Sequence, residues 1–386
     1  MRTIIIIIFF VFVLFLSSTV INVPEDQPTI QEGINVAVDG DTVLVADGYY
    51  TGVFNRELTW DGNEKHIVVK SENGYENCFI DCQQSGRAFT FYDTNQDSTD
   101  VIEGFHISNG YVFYDTFGGG AICCYNASPK ILNNRISNNV ADECSGGGIF
   151  LFNSDSKIIG NSILNNTSDY SYFPGGVSGG GIYIFNGSSI IKDNIIMNNQ
   201  VSYTDIESDA RGGGIYAATS YYYPLAQIQI INNLIISNSA YSSWNGTTGG
   251  GIYINCYYDG SQIINNTVIG NHATVGSGIY CRRGQVSQNI IVDNSQEGLR
   301  CFWPNSTAII NHNNVQDNGQ NYVNCPTGIG DTSWGFNINN TACDSCFNIC
   351  EDPLFVSSLG EEYFLSQFEA GQNYQSSCVD AGFGSP

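Results

Sequence analysis

Asp205, Glu207 and Asp209 alternate along one short stretch, and Arg211 follows two residues later. Two carboxylates can serve as the acid and base of glycoside hydrolysis. Three of them form a hard oxygen set suited to calcium, beside which an arginine can act as the base or charge stabiliser of a lyase. These four residues are the candidate catalytic set, the three acids are the candidate calcium ligands, and no other cofactor is indicated. Alternating acids in an exposed loop are also what a solvated surface looks like, so the expectation adopted is binding without turnover. His66, His106, His272 and His312 stand apart from any serine or cysteine and acid that would complete a triad.

Aromatic residues accompany the acids. Tyr170, Tyr172, Phe173, Tyr203, Tyr241 and Trp244 fall in three stretches, 167–178, 200–211 and 239–248, and Tyr221, Tyr222 and Tyr223 fall in another. Rings stack on the apolar faces of sugars and acids accept hydrogen bonds from hydroxyls. The candidate ligand contacts are Tyr172, Phe173, Tyr203, Tyr222 and Trp244, together with Tyr183, Tyr216, Tyr253 and Tyr280, whose spacing is taken up below.

The elements that must position these residues are set by repetition. A pattern of Asn, any residue, an aliphatic, two residues and a second Asn begins at Asn134, Asn161, Asn194, Asn233, Asn266, Asn289 and Asn313. Successive copies lie 23 to 39 residues apart, a spacing that indicates a solenoid or a propeller. Propeller blades need ~40 to 50 residues each, so the shortest copies favour the solenoid. Three residues before each first Asn, and two after it, the residue is Ile or Val in all seven copies. Stacked parallel strands produce such columns, with each coil laying its aliphatic side chain ~4.8 Å from the equivalent one. The Asn column reads as a turn ladder, its residues tolerating left-handed backbone at a bend.

A second landmark precedes most copies: Gly119-Gly120-Ala121-Ile122, Gly146-Gly147-Gly148-Ile149 and their relatives ending at Ile182, Ile215, Ile252 and Ile279. The residues directly after these isoleucines include Phe150, Tyr183, Tyr216, Tyr253 and Tyr280. With the isoleucines inward, period two turns the rings outward as a column. Such a strip either receives a sugar or simply stabilises neighbouring coils, at ~0.5 to 1.5 kcal/mol per ring pair. The three insertions at one turn must project from one side.

Composition bounds the partners. The 386-residue chain carries a formal net charge of −24, a surface that repels nucleic acid and anionic membranes. Residues 1–19 read as a secretory signal peptide, because the apolar run Ile4 to Leu16 follows Arg2, precedes Ser17, Ser18 and Thr19, and is too short to span a bilayer. The mature chain is expected to be secreted or displayed at the cell surface, without a transmembrane segment, as a monomer. Thirteen cysteines in an exported chain imply disulfides, with Cys343, Cys346 and Cys350 paired to Cys325 or Cys378. Ile30, Ile34 and Val38 predict a short helix over 29–38 that caps the first coil. The division expected is 20–60 for this cap and the first strands, 61–335 for the coils, and 336–386 for a cysteine-rich C-terminal cap.

These features resemble the right-handed parallel β-helix proteins of the pectate-lyase superfold, specifically secreted bacterial surface forms. The resemblance implies an all-β solenoid with right-handed coils and an internal Asn ladder. The Gly-rich landmarks are also similar to the short repeat of chlamydial polymorphic outer-membrane proteins, which implies an adhesive surface role. The signatures of the superfold's pectin-cleaving hydrolases, Asn-Thr-Asp, Asp-Asp, Gly-His-Gly and Arg-Ile-Lys, do not occur. The function expected is therefore recognition of extracellular polysaccharide. A polysaccharide lyase or glycoside hydrolase, and a purely structural surface protein, are the alternatives.

Overall fold

A computed structural model describes residues 18–60, 65–170, 177–204, 209–223, 225–243, 246–303, 307–357 and 363–379. Each full coil visits four sheets in order, as in Lys130–Leu132, Arg135–Ser137, Val140–Asp142 and Ile149–Phe152, after which Lys157–Ile159 lies beside the first strand. The first, second and fourth sheets hold 11, 10 and 9 strands, and the third holds 5. Every strand in these four sheets pairs in parallel with its copy one coil away. The chain is thus an all-β parallel β-helix, with a single short α-helix among the described residues.

The aliphatic columns stack as their spacing predicts. Ile131, Ile158, Ile191, Ile230, Ile263, Val286 and Ile310 are register partners in the first sheet. Ile136 to Val315 do the same in the second sheet, and Ile122 to Leu299 in the fourth. None of these residues is more than 3% exposed. Each column therefore removes its whole apolar surface from water, at about 25 cal/mol per Å².

Two Asn ladders run inside the bends. Asn134 Nδ2 donates to Asn161 Oδ1 at 3.1 Å, Asn161 to Asn194 at 3.0 Å, and the series continues to Asn313 and Asn348. The second ladder runs from Asn139 to Asn318. The bend itself is made differently from the sequence expectation. Left-handed φ falls on the residue before each ladder Asn, for example Asn133 at 52°, Asn198 at 55° and Asn232 at 55°. The ladder Asn must point its amide inward, so the outward-facing neighbour takes the strained conformation.

The helix spans Ile30–Val36 and is N-capped by Thr29, whose Oγ1 accepts from the Glu32 N–H and donates to the Glu32 carboxylate. It buries Ile30, Gly33 and Ile34 over the first strands, Val20–Val23 and Thr42–Val45. At the other end, antiparallel pairs join Gly335–Phe336 to Ala342–Cys343 and Phe355–Ser357 to Tyr363–Leu365. No sulfur–sulfur bond joins any of the thirteen cysteines in this structure. Cys378 and Cys350 meet the side-chain amides of Asn314 and Asn321 instead of other cysteines. Cys325 belongs to the core of the last coil, where its neighbour is Cys301. The contacts of Cys350, Cys378 and Cys325 in this structure do not include the expected partners from the 343–350 cluster.

A polar staple joins the early coils. Asp100 is fully buried and accepts from Trp60 Nε1 at 2.8 Å, the Ile67 N–H at 3.0 Å and the Asp97 N–H at 2.9 Å. His66 Nδ1 lies 2.7 Å from its second oxygen, and this hydrogen bond is the main cause that raises the imidazole above its ordinary value of 6.5. A raised histidine stabilises the fold fully below its unfolded pKa, and the contribution is lost as pH rises through the folded value. Urea midpoints are expected to fall between pH 6 and pH 8, and the His66→Gln variant is expected to lose that slope. A wild-type slope retained in His66→Gln would show that another group titrates.

Candidate functional site

The fourth sheet presents two aromatic columns on its outer face. In one, Phe150, Tyr183, Tyr216, Tyr253 and Tyr280 stack with centroids 4.9 to 5.1 Å apart and planes within 6° of parallel. In the other, Tyr92, Tyr125, Phe152 and Phe185 stack at 5.0 to 5.5 Å. Two residues along each strand separate the columns, so period two sends both outward. The second column carries the same sequence signal as the first, two places further on.

Ring orientation changes what the first column can offer. Because each plane lies across the coil axis, the ring faces are used on one another and only edges and hydroxyls remain. Tyr183, Tyr216, Tyr253 and Tyr280 are therefore not a flat platform for a sugar ring. Burial pushes the Tyr216 and Tyr280 phenols up to about 12 and raises those of Tyr183 and Tyr253. They stay protonated near neutral pH and can donate to an oxygen acceptor.

A wall stands beside this column. The stretches expected to be loops begin as strands, Thr167–Tyr170, Gln200–Tyr203 and Ser239–Ser242, which join Tyr111–Phe113 and Val140–Asp142 as the third sheet. Small side chains allow it, since Ser168, Val201 and Ala240 stack in register. The returning chain pairs as well, through Ser178, Arg211, Thr248 and Val275. Between strand and return lies a separate small core that includes Tyr170, Val177, Val201, Tyr203 and Ala210. Tyr203 is fully buried there, 5.4 Å from Tyr170, and has no surface for a ligand.

Arg211 pairs with Asp209 at 3.0 Å and lies 5.8 Å from the Tyr253 ring centroid. Tyr222 is 86% exposed on the turn after Ile215–Ala218. It therefore lies at the end of the fourth-sheet strand opposite the wall and belongs to a different surface from Arg211. Tyr172, Phe173, Asp205, Glu207 and Trp244 lie outside the described residues.

The wall opens where the first column starts. Among the described residues Phe150 stacks on Tyr183 alone, because its register partner in the preceding coil is Cys123. A cleft of about 590 Å³ lies there, lined by the segments 114–118 and 143–145 and by Tyr125, Phe150, Phe152 and Tyr183. Phe117 packs edge-on against Tyr92 and Tyr125, at 4.4 and 4.6 Å between centroids. Tyr114 is 62% exposed at the rim. Asp115 forms an ion pair with Arg87, whose side chain is only 4% exposed, and Glu143 supplies a second carboxylate to the lining. Rings on several sides with carboxylate acceptors between them suit a hydroxyl-rich, partly apolar ligand. Sequence reading missed this cleft because its acids are dispersed, one on each of two short turns.

His66, Asp97 and Asp100 are the only three-residue group of potential metal donors among the described residues. The N–H bonds to Asp100 described above give that group a structural role. No described helix is long and apolar enough to cross a membrane.

Residues 29–255 match the family described as "Right handed beta helix region". No curated relative matches the chain by sequence. Among solved structures it is similar to the catalytic domain of a GH87 alpha-1,3-glucanase in complex with tetrasaccharides, with 14% identity and a TM-score of 0.35 over 80% of this chain and 66% of that one. It is also similar to Geobacillus virus E2 ORF18, with 15% identity and a TM-score of 0.32 over 80% of this chain and 60% of that one. A GH87 alpha-1,3-glucanase catalytic domain in complex with nigerose gives 13% identity and a TM-score of 0.30, with 80% and 66% covered. This chain thus spans 60% to 66% of the length of these structures. Because the matched segment takes in more than half of its residues and the coils stack in parallel from end to end, the protein belongs to the right-handed β-helix family.

Proposed function

We propose that this protein is an exported or cell-surface solenoid that binds extracellular polysaccharide without cleaving it, through the cleft at the start of the aromatic face. The observation that carries the reading is the cleft itself, with rings on three strands and two turns enclosing a volume that accommodates a few sugar units. The protonated phenols of the neighbouring column extend it with a row of donors. Asp115 is tied to the buried Arg87 in an ion pair at the cleft wall. Asp205, Glu207 and Asp209 remain candidate calcium ligands from the sequence.

Affinity electrophoresis against a panel of neutral and acidic polysaccharides tests the reading, with and without calcium. The double variant Tyr114→Ala, Phe117→Ala is expected to weaken retention at least ~10-fold, as for loss of aromatic anchors. Tyr222→Ala is expected to retain binding. Unchanged retention in the double variant removes this cleft as the site. Release of reducing ends or of unsaturated products by the wild type, abolished in Arg211→Ala, would replace binding with catalysis.

A further inference from the structure

Beyond the aromatic face, the core holds two sulfur atoms placed for covalent chemistry. Cys301 ends the strand Glu297–Cys301, and Cys325 lies two residues past the strand Gln320–Val323. Those strands are register partners through Leu299 and Tyr322 and through Arg300 and Val323, which brings both cysteines to the same end of adjacent coils. Their Sγ atoms are 3.5 Å apart, and Cys301 is fully buried while Cys325 is partly accessible. A disulfide needs Sγ atoms at ~2.05 Å, so the two sulfurs have about 1.5 Å left to close.

A competing partner exists. Cys281 is in register with Cys301 from the coil below, and its thiol meets the carbonyl of Arg283 at 3.3 Å. We propose that Cys301 and Cys325 form a disulfide when the chain matures in an oxidising compartment, locking the last coil of the fourth sheet to the one beneath it. The oxidant is a low-molecular-weight disulfide. The Cys325 thiolate attacks one of its sulfurs and expels a thiolate. Cys301, deprotonated in turn, then attacks the Cys325 sulfur of the mixed disulfide and expels the second. The two protons from the cysteines end on the two released thiols, and the two electrons reduce the oxidant.

The position gives the bond a purpose. Gln320–Val323 is the last strand of the fourth sheet, with a neighbour on one side only, and terminal repeats are where a solenoid opens first. The hydrogen bond to Cys301, with burial, raises the Cys325 thiol. Exchange is therefore slow once the coil has closed, and the bond is set during folding.

The test uses the full chain, folded in the presence of oxidised glutathione, alkylated and digested without reduction. Mass spectrometry is expected to find the Cys301 peptide joined to the Cys325 peptide. Recovery of both as alkylated thiols, or of Cys301 joined to Cys281, overturns the proposal. Melting gives a second readout on the same material. The oxidised wild type is expected to melt about 5 °C above the Cys325→Ser variant, and reduction is expected to remove that gap. Equal melting temperatures before reduction also overturn it.

Discussion

Asn199→Ala is expected to cost about 3 to 5 kcal/mol. The side chain is fully buried. Its Oδ1 accepts both the backbone N–H and the Nδ2 of Asn166, each at 3.0 Å, and its Nδ2 donates to the Ile163 carbonyl at 2.8 Å and to Asn238 Oδ1 at 3.0 Å. Alanine removes all four bonds and leaves two donors of Asn166 without these partners in a fully buried site. Each orphaned donor costs about 1 to 3 kcal/mol, and the cavity adds to it. Denaturant midpoints measure the loss, with Asn232→Gly as the comparison. Asn232 is exposed and left-handed, so glycine is tolerated there within about 1 kcal/mol. A similarly small loss for Asn199→Ala would mean that water repairs the ladder.

Gly180→Ala is expected to cost about 3 kcal/mol or more, for a steric reason. A Cβ at this position would lie 2.4 Å from the carbonyl carbon of Gln200 and 2.4 Å from the carbonyl oxygen of Gly213. Both are backbone atoms, one in the wall and one in the next coil, so relief requires two elements to move. Gly147, Gly213 and Gly250 make the same approach, at 2.3 to 2.7 Å. Gly335→Ala is the control, because nothing lies within 4 Å of its Cβ position. It is expected to be neutral or slightly stabilising through the unfolded chain. Thermal melting separates the two, and equal melting temperatures would show that the coils give way more easily than their backbone packing implies.

The stacked core was legible because burial on a repeated backbone forces one residue type at one position. Ile131 and its six partners announce that rule in the sequence alone. The Gly landmarks were equally visible, but their cause was not, since Gly180 is small for the sake of Gln200, twenty positions away in a wall that no local pattern shows. Tyr216 illustrates a second limit. Alternation tells that its ring points outward, while the direction of the ring plane follows from stacking on Tyr183 and Tyr253. Tyr203 marks a third limit, because a stretch that reads as exposed loop starts as a strand with its own small core. The cleft beside Phe150 depends on what is missing one coil earlier, a ring replaced by Cys123, and a vacancy leaves no motif.

The Asn amides all point the same way, each donating toward the C-terminal neighbour and accepting from the N-terminal one. Every layer is thus plug on one side and socket on the other. Excising or duplicating one entire layer would join matching ends, whereas a change of a few residues inside the bends would not. Lineages of this molecule can accordingly alter their length in quanta of a full circuit, and the reach of the ringed face would lengthen or shorten in the same steps.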